Sequence, residues 1–129
     1  MSEKFTVEII SPDRPIIKKE TSEVIIPSYE GEMGILKDHI PLITFLRPGF
    51  INIKSDIEQK FFVEEGTVEF SNNNLLILTS TAIEVTKMNK KFIDSLISVS
   101  EKKLDDNEIS DKERYLLSYK LETLRNISQ

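Results

Sequence analysis

Apolar residues alternate with polar residues in short runs from Phe5 to about Val85, and this two-residue period is typical of strands with one buried face. The first run has Phe5, Val7 and Ile9 on one face, and Leu76 with Leu78 is predicted to form one face of a late strand. Turn residues separate the runs roughly every eight to twelve residues, which predicts an antiparallel sandwich or barrel. No helical period occurs before residue 87.

The apolar period changes to that of a helix after Thr86. Asn89 is placed to cap a first helix, and Ser110 with Glu113 forms a capping-box pair for a second one. The apolar positions of the two helices are Phe92, Ile93, Leu96, Ile97 and Leu104, then Leu117, Leu121 and Leu124. A short polar loop joins the helices, so we expect an antiparallel two-helix hairpin. Its apolar stripes are narrow, which predicts weak packing and mobility.

Charge changes at the same point in the chain. Residues 1–86 hold 8 basic and 14 acidic side chains, a net charge of −6, whereas residues 87–129 hold 9 and 8, a net charge of +1. We therefore predict two domains, a β-sandwich domain over 1–86 and a helical hairpin domain over 87–129. The net charge of −5 argues against a nucleic-acid partner, which usually requires a clustered basic surface.

The residues that could carry chemistry are few. The chain has no cysteine and one histidine, His39, so a nucleophile–base pair and a metal-ligand set at a recognisable spacing are both lacking. We expect no catalytic site, no metal and no cofactor. No run of apolar residues approaches the ~20 that cross a bilayer, and the first residues do not resemble a signal peptide, so we expect no membrane insertion.

Gly31 and Gly34 bracket Glu32-Met33 in a glycine-containing loop that lacks the lysine of a phosphate-binding loop. One interpretation is a turn that needs a positive φ at one or both glycines. The other is an exposed acidic loop, with Glu30 and Glu32, that contacts a basic partner. The sequence leaves both open.

The stretch Glu30–Gly49 resembles the signature of the epsilon subunit of F-type ATP synthases. The matching residues are Gly34-Ile35-Leu36, His39, Pro41-Leu42 and Arg47-Pro48-Gly49, and Phe62–Gly66 with Leu78–Ile83 is similar too. Lys37-Asp38 replaces the common Pro-Gly, and Glu65 a usual glycine. The resemblance implies about ten short strands over 1–86, a two-helix hairpin, and a non-catalytic rotor role in the central stalk.

As partners, the resemblance implies the gamma subunit, the c-ring and, through the C-terminal helices, the alpha/beta catalytic head. Glu30, Glu32 and His39 match the loop that faces the ring, and the hairpin is expected to regulate ATP hydrolysis. The absence of a transit peptide favours a bacterial protein on the cytoplasmic face of the inner membrane. Exposed ion pairs with the ring are each worth roughly 0–1 kcal/mol, so shape and number must carry the coupling.

Some relatives bind ATP through an Ile/Leu-Asp-x-x-Arg-Ala motif in the first helix. Here Ile93 and Asp94 are kept, but Ile97 replaces the arginine and Ser98 the alanine. Without the cation that would meet a phosphate, we expect little ATP binding. The alternative function is a free-standing nucleotide-binding β-domain with a helical lid. A small hydrolase is a third, for which no nucleophile–base pair is found.

Overall fold

The computed structural model describes residues 3–127, so the outermost residues of the two predicted domains, 1–2 and 128–129, lie outside the described residues. The strands are β1 Phe5–Ile10, β2 Pro15–Thr21, β3 Glu23–Ser28, β4 Gly31–Leu36, β5 Leu42–Leu46, β6 Gly49–Lys54, β7 Glu58–Val63, β8 Gly66–Ser71, β9 Asn74–Leu78 and β10 Ala82–Glu84. A 3₁₀ turn at Val85–Lys87 leads to helices α1 Lys90–Leu104 and α2 Asp111–Ile127. This order confirms the predicted fold, a ten-stranded sandwich followed by two helices.

The strands form two halves that are joined at one point. One half has the order β4-β3-β6-β7-β10 and the other β5-β8-β9-β1-β2, and Ser28 of β3 pairs with Leu46 of β5 where they meet. Among the strand pairs of residues 3–127, β1 with β9 alone is parallel. The inner faces of both halves share one core, with Val24 and Ile53 from the first half and Val7 and Ile77 from the second.

Leu75 and Ile77 form the inner face of β9. Both are buried, whereas Leu76 and Leu78, which share the face that the sequence singled out, are half-buried and exposed. The reason is the pairing with β1, which sets Leu75 opposite Val7 and Ile77 opposite Ile9. A shift of one residue would exchange the two faces of the strand.

The helices begin where their capping residues predict. The backbone N–H of Phe92 donates to Oδ1 of Asn89 at 2.8 Å, and the N–H of Glu113 donates to Oγ of Ser110 at 3.1 Å. These bonds satisfy N–H groups that lack a partner in the first turn of a helix. The hairpin lies on the outer face of the β4-β3-β6-β7-β10 half, where Phe62 meets its apolar stripe.

Candidate interaction surfaces

The outer face of the second half of the sandwich exposes apolar side chains. Ile43 is 74% exposed, Phe45 58% and Leu78 44%. The register brings them together across the strands, because Phe45 pairs with Thr67, Thr67 with Leu78, and Leu78 with Ile10. We call this surface, formed by Ile10, Ile43, Phe45, Leu76 and Leu78, the uncovered face. Its apolar side chains come from β5, β9 and β1, and Thr67 with Glu69 of β8 lies between them. Exposed apolar side chains grouped in this way are typical of an interaction site.

Acidic side chains and a groove shape the uncovered face. Glu69 lies between Ile43 and Leu76 in the register, and Glu8 is the next neighbour of Leu76. A groove of about 380 Å³ opens at one end of the face, between Ile10, Thr67 and Leu78. Lys18 of β2 pairs with Glu8 in the register, so Glu69 is the carboxylate without a basic neighbour in its row. A partner that fits this surface would insert apolar side chains and place a basic group beside Glu69.

The structure separates the three residues that were assigned to one ring-facing loop. Glu30 lies in the turn between β3 and β4, and Glu32 is exposed on β4. His39 follows the other end of that strand, and at ~3.3 Å per residue the length of β4 divides it from the two acids. Gly31 has a positive φ of 124°, as a turn requires, whereas Gly34 does not. The chain therefore continues as a strand through Gly34.

His39 has a structural setting. Its ring and that of Phe70 are nearly perpendicular, with a centroid distance of 5.8 Å, and its Nδ1 lies 2.7 Å from the carbonyl oxygen of Ile40. The preceding residue, Asp38, forms a reciprocal pair with Asn73: its N–H donates to Oδ1 of Asn73 at 2.7 Å, and Nδ2 of Asn73 donates to Oδ1 of Asp38 at 3.0 Å. Within residues 3–127, no group of three or more metal-ligating side chains is present.

An apolar cluster joins the hairpin to the sandwich. Phe62 of β7 and Leu124 of α2 are almost fully buried, and Ile93 of α1 and Met88 before it pack with them. Burying a side chain of this size contributes about 1.5–3 kcal/mol. At the margin, Nζ of Lys120 forms an ion pair of 2.8 Å with Oε1 of Glu64, which follows β7.

Polar and aromatic contacts fix α2 at a second place. The guanidinium of Arg47 lies 3.9 Å from the centroid of the Tyr119 ring, and its Nη1 donates to the hydroxyl of Tyr115 at 3.2 Å. Tyr115 also stacks on Tyr29, with centroids 6.3 Å apart and an interplanar angle of 6°. The sandwich supplies Arg47 and Tyr29, so these contacts exist only while the helix lies on it.

Comparison with known proteins agrees with this architecture. A family model described as ATP synthase, Delta/Epsilon chain, beta-sandwich domain matches residues 4–85. Along nearly its whole length the chain is 42% identical to the ATP synthase epsilon chain of Pelagibacter ubique (strain HTCC1062), with 99% of this chain and 100% of that one covered. This chain belongs to the ATP synthase epsilon chain family. The epsilon chain of Parvibaculum lavamentivorans is 30% identical, covering 98% of this chain and 97% of its own.

Two solved structures share the epsilon-chain fold. A chain in the Euglena gracilis mitochondrial ATP synthase, OSCP/F1/c-ring, superposes with a TM-score of 0.76 at 17% identity, covering 95% of this chain and 78% of that one. A chain of the Tetrahymena thermophila mitochondrial ATP synthase central stalk/c-ring gives 0.71 at 13% identity, covering 99% and 98%. At these identities the likeness shows the fold alone.

The degenerate nucleotide motif of this epsilon chain faces two ways. Ile93 is buried in the apolar cluster with Phe62, and Ile97 is half-buried against the same cluster. Asp94 and Ser98 are exposed on the other side of α1. The position of the motif arginine is thus filled by a side chain that packs against the apolar cluster, which gives the nucleotide-lid alternative no support.

Sequence reasoning missed the contacts between the epsilon-chain hairpin and the sandwich. In the sequence, Arg47 stands out only as part of the Arg47-Pro48-Gly49 signature, and no pattern marks the three tyrosines. Arg47 and Tyr115 are 68 residues apart, and no local pattern pairs residues at that distance.

None of the helices within 3–127 is both long and apolar enough to cross a bilayer.

Proposed function

We propose that this chain is a non-catalytic rotor subunit in the central stalk of a proton-translocating F-type ATP synthase. In this proposal it couples the gamma subunit to the c-ring, and its hairpin regulates ATP hydrolysis. Support comes from its membership of the epsilon chain family and from the ATP synthase c-ring assemblies that hold the two solved neighbours. The complex would carry the chain as a peripheral protein on the cytoplasmic face of a bacterial inner membrane.

The uncovered face is the proposed seat of the gamma subunit, and it is the observation on which the proposal rests. Its apolar side chains come from β5, β9 and β1, no element of residues 3–127 covers them, and Ile43 at 74% exposed is the most accessible of them. The hairpin lies on the other half of the sandwich, so both surfaces can be occupied at once. Burial of such an apolar row would be the main source of affinity.

The association test uses purified gamma subunit and two variants of this chain. Ile43→Ser removes an apolar side chain from the uncovered face, and Ile57→Ser removes an equally exposed one, also 74%, from the β6–β7 turn. We expect Ile43→Ser to weaken gamma binding about tenfold, as for a central interface residue, and Ile57→Ser to leave it unchanged. Failure of the parent chain to bind gamma at micromolar concentration would overturn the proposal.

Glu30 and Glu32 are the proposed contacts with the polar loops of the c-ring. Both are exposed and lie together at the β3–β4 turn. His39 lies beyond the opposite end of β4, so it is not proposed as part of the same contact. Charge reversal, Glu30→Lys with Glu32→Lys, is expected to impair coupling in the assembled enzyme while gamma binding by the isolated chain stays at the parent level.

The hairpin is the proposed regulatory element. It is docked here, lying on β6 and β7 through α2, and an extended pose would let it reach the alpha/beta catalytic head. An element with two such poses regulates when their free energies differ by only a few kcal/mol. ATPase activity of the assembled enzyme, measured with the full chain and with residues 1–86, tests this role. Equal activities would contradict it.

Residues 1–86 and 87–129 are proposed to be separate domains. The sandwich core draws on strands that end at Glu84, and the hairpin has its own caps at Asn89 and Ser110. We therefore expect the 1–86 fragment to keep its β-structure, as measured by far-UV circular dichroism. Loss of that signal would show that the hairpin is needed to fold the sandwich.

A further inference from the structure

Two of the three tyrosines of the chain contact one arginine, and the third stacks on one of those two. Tyr29, Tyr115 and Tyr119 are the complete set in the sequence. Tyr119 carries the guanidinium of Arg47 over its ring at 3.9 Å, Tyr115 accepts a hydrogen bond from it, and Tyr29 stacks on Tyr115. The rings of Tyr115 and Tyr119 meet edge to face at 4.9 Å. We call these four residues the Arg47 cluster.

The sandwich half of the Arg47 cluster is held by backbone hydrogen bonds. The N–H of Arg47 donates to the carbonyl of Pro27 at 2.9 Å, and the N–H of Tyr29 donates to the carbonyl of Phe45 at 3.1 Å. The bend between β5 and β6 is thereby tied to the end of β3. Arg47 and Tyr29 thus have backbone positions that do not depend on the hairpin, as a receptor site should.

The helical half of the cluster comes from one face of α2. Tyr115 and Tyr119 are four residues apart, so their side chains lie one above the other on the helix. Both rings reach Arg47 only when that face of α2 is turned toward the β5–β6 bend. The contacts are therefore specific to the docked pose.

We propose that Arg47 is a latch that holds the first half of α2 on the sandwich. The apolar cluster holds the helix near Leu124, and the Arg47 cluster holds it at residues 115 and 119. Tyr29 and Tyr115 are 37% and 38% exposed, so the latch lies at the rim of the interface, where water can enter first. The latch is a property of the isolated chain and does not depend on the proposed function. Only the effect of the latch on the assembled ATP synthase rests on that function.

The chemistry of the site requires arginine in particular. A guanidinium can stack on the Tyr119 ring and donate in its own plane to the Tyr115 hydroxyl, whereas a lysine ammonium offers a point charge on a flexible stem. Arg47→Lys is thus expected to keep part of the contact, and Arg47→Gln to lose the cation–π interaction altogether.

Hydrogen exchange on the isolated full-length chain tests the latch. In Arg47→Gln, amides of α2 are expected to exchange about 5-fold faster than in the parent, since a partly exposed cation–π contact is lost. Core amides of β1 and β9 should be unchanged. Arg14→Gln is the matched control, because Arg14 is an exposed arginine in the β1–β2 turn, and its α2 amides should exchange at the parent rate.

A double-mutant cycle with Tyr119→Leu completes the test. If Arg47 acts through Tyr119, the two substitutions together should speed exchange by less than the product of their separate effects. Parent-like exchange in Arg47→Gln, independent effects in the cycle, or equal acceleration in the sandwich core would each overturn the latch. Gamma binding by the parent is measured separately, so its failure would reject the proposed function without touching this result.

Discussion

Phe61 and Phe62 are neighbours in β7, yet their side chains belong to two different hydrophobic cores. Phe61 is 3% exposed and packs inside the sandwich, whereas Phe62 is 1% exposed and packs with Met88, Ile93 and Leu124. The end of the strand, Phe61–Val63, is buried on both faces because the sandwich covers one and the hairpin the other. β7 thus joins the core of the sandwich to the apolar cluster under the hairpin.

The two phenylalanines are expected to respond differently to truncation. Phe61→Ala should lower the free energy of unfolding of the sandwich by about 3–5 kcal/mol, the usual cost of such a cavity. Phe62→Ala should release the hairpin and leave the sandwich folded. Hydrogen exchange resolves the two effects, because only Phe61→Ala should expose the amides of β1 and β9. Equal loss of protection there in both variants would contradict the separation of the cores.

Local signals in the sequence predicted the elements, and long-range pairing decided what the signals left open. Asn89 and Ser110 mark their helix starts because a cap acts within three residues. Leu75–Leu78 is a run of four apolar residues with no period, so only the pairing with β1 could select its inner face. The strand β4 was missed because two glycines resemble a loop, and only Gly31 takes a positive φ.

The candidate surfaces were less predictable than the fold, for the same physical reason. The acidic residues Glu30 and Glu32 stand out by composition, and the structure leaves them exposed. The uncovered face depends on the register of four strands, and the Arg47 cluster on how a helix lies on a sheet. Neither property is encoded within a short window of sequence.

The Asp38–Asn73 pair is expected to fix the connection between β4 and β5. Asp38 has a φ of 66°, and Asn73 a φ of 58°. Asn73→Gly keeps that backbone conformation available but removes both hydrogen bonds, which should cost about 1 kcal/mol. Asn72→Gly is the control, since Asn72 has a similar φ of 50°.

Nuclear magnetic resonance measures the effect at the Asp38 amide, which donates to Asn73. Its exchange with solvent should be faster in Asn73→Gly and close to the parent rate in Asn72→Gly. The same exchange rate in both variants would mean that the pair does not hold the connection.

Gly66 is expected to be far less replaceable than Gly31, although both have a positive φ. A Cβ on Gly66 would lie 2.6 Å from the carbonyl oxygen of Leu78 and 3.1 Å from Cδ1 of Leu46, whereas a Cβ on Gly31 would meet nothing within 4 Å. Gly31→Ala should therefore cost only backbone strain, about 1–3 kcal/mol. Gly66→Ala has the same kind of backbone strain and also places the methyl group against the carbonyl oxygen of Leu78 in β9.

Thermal unfolding of the two alanine variants tests this difference. We expect a clearly lower Tm for Gly66→Ala than for Gly31→Ala, measured at one protein concentration and pH. Equal Tm values would show that the strands separate at little cost to accept the methyl group.

Ser100 is expected to weaken the hairpin, so its replacement should stabilise it. Ser100 is 1% exposed on α1, and its Oγ has no hydrogen-bond partner within the described part of the chain. An unsatisfied buried hydroxyl costs about 1–3 kcal/mol, which Ser100→Ala removes.

Ser98→Ala is the control, because Ser98 is exposed on the same helix and its replacement gains only the better helix propensity of alanine, about 0.5 kcal/mol. Amides of α1 should exchange more slowly in Ser100→Ala than in Ser98→Ala, and equal slowing would show that burial of the hydroxyl carries no cost.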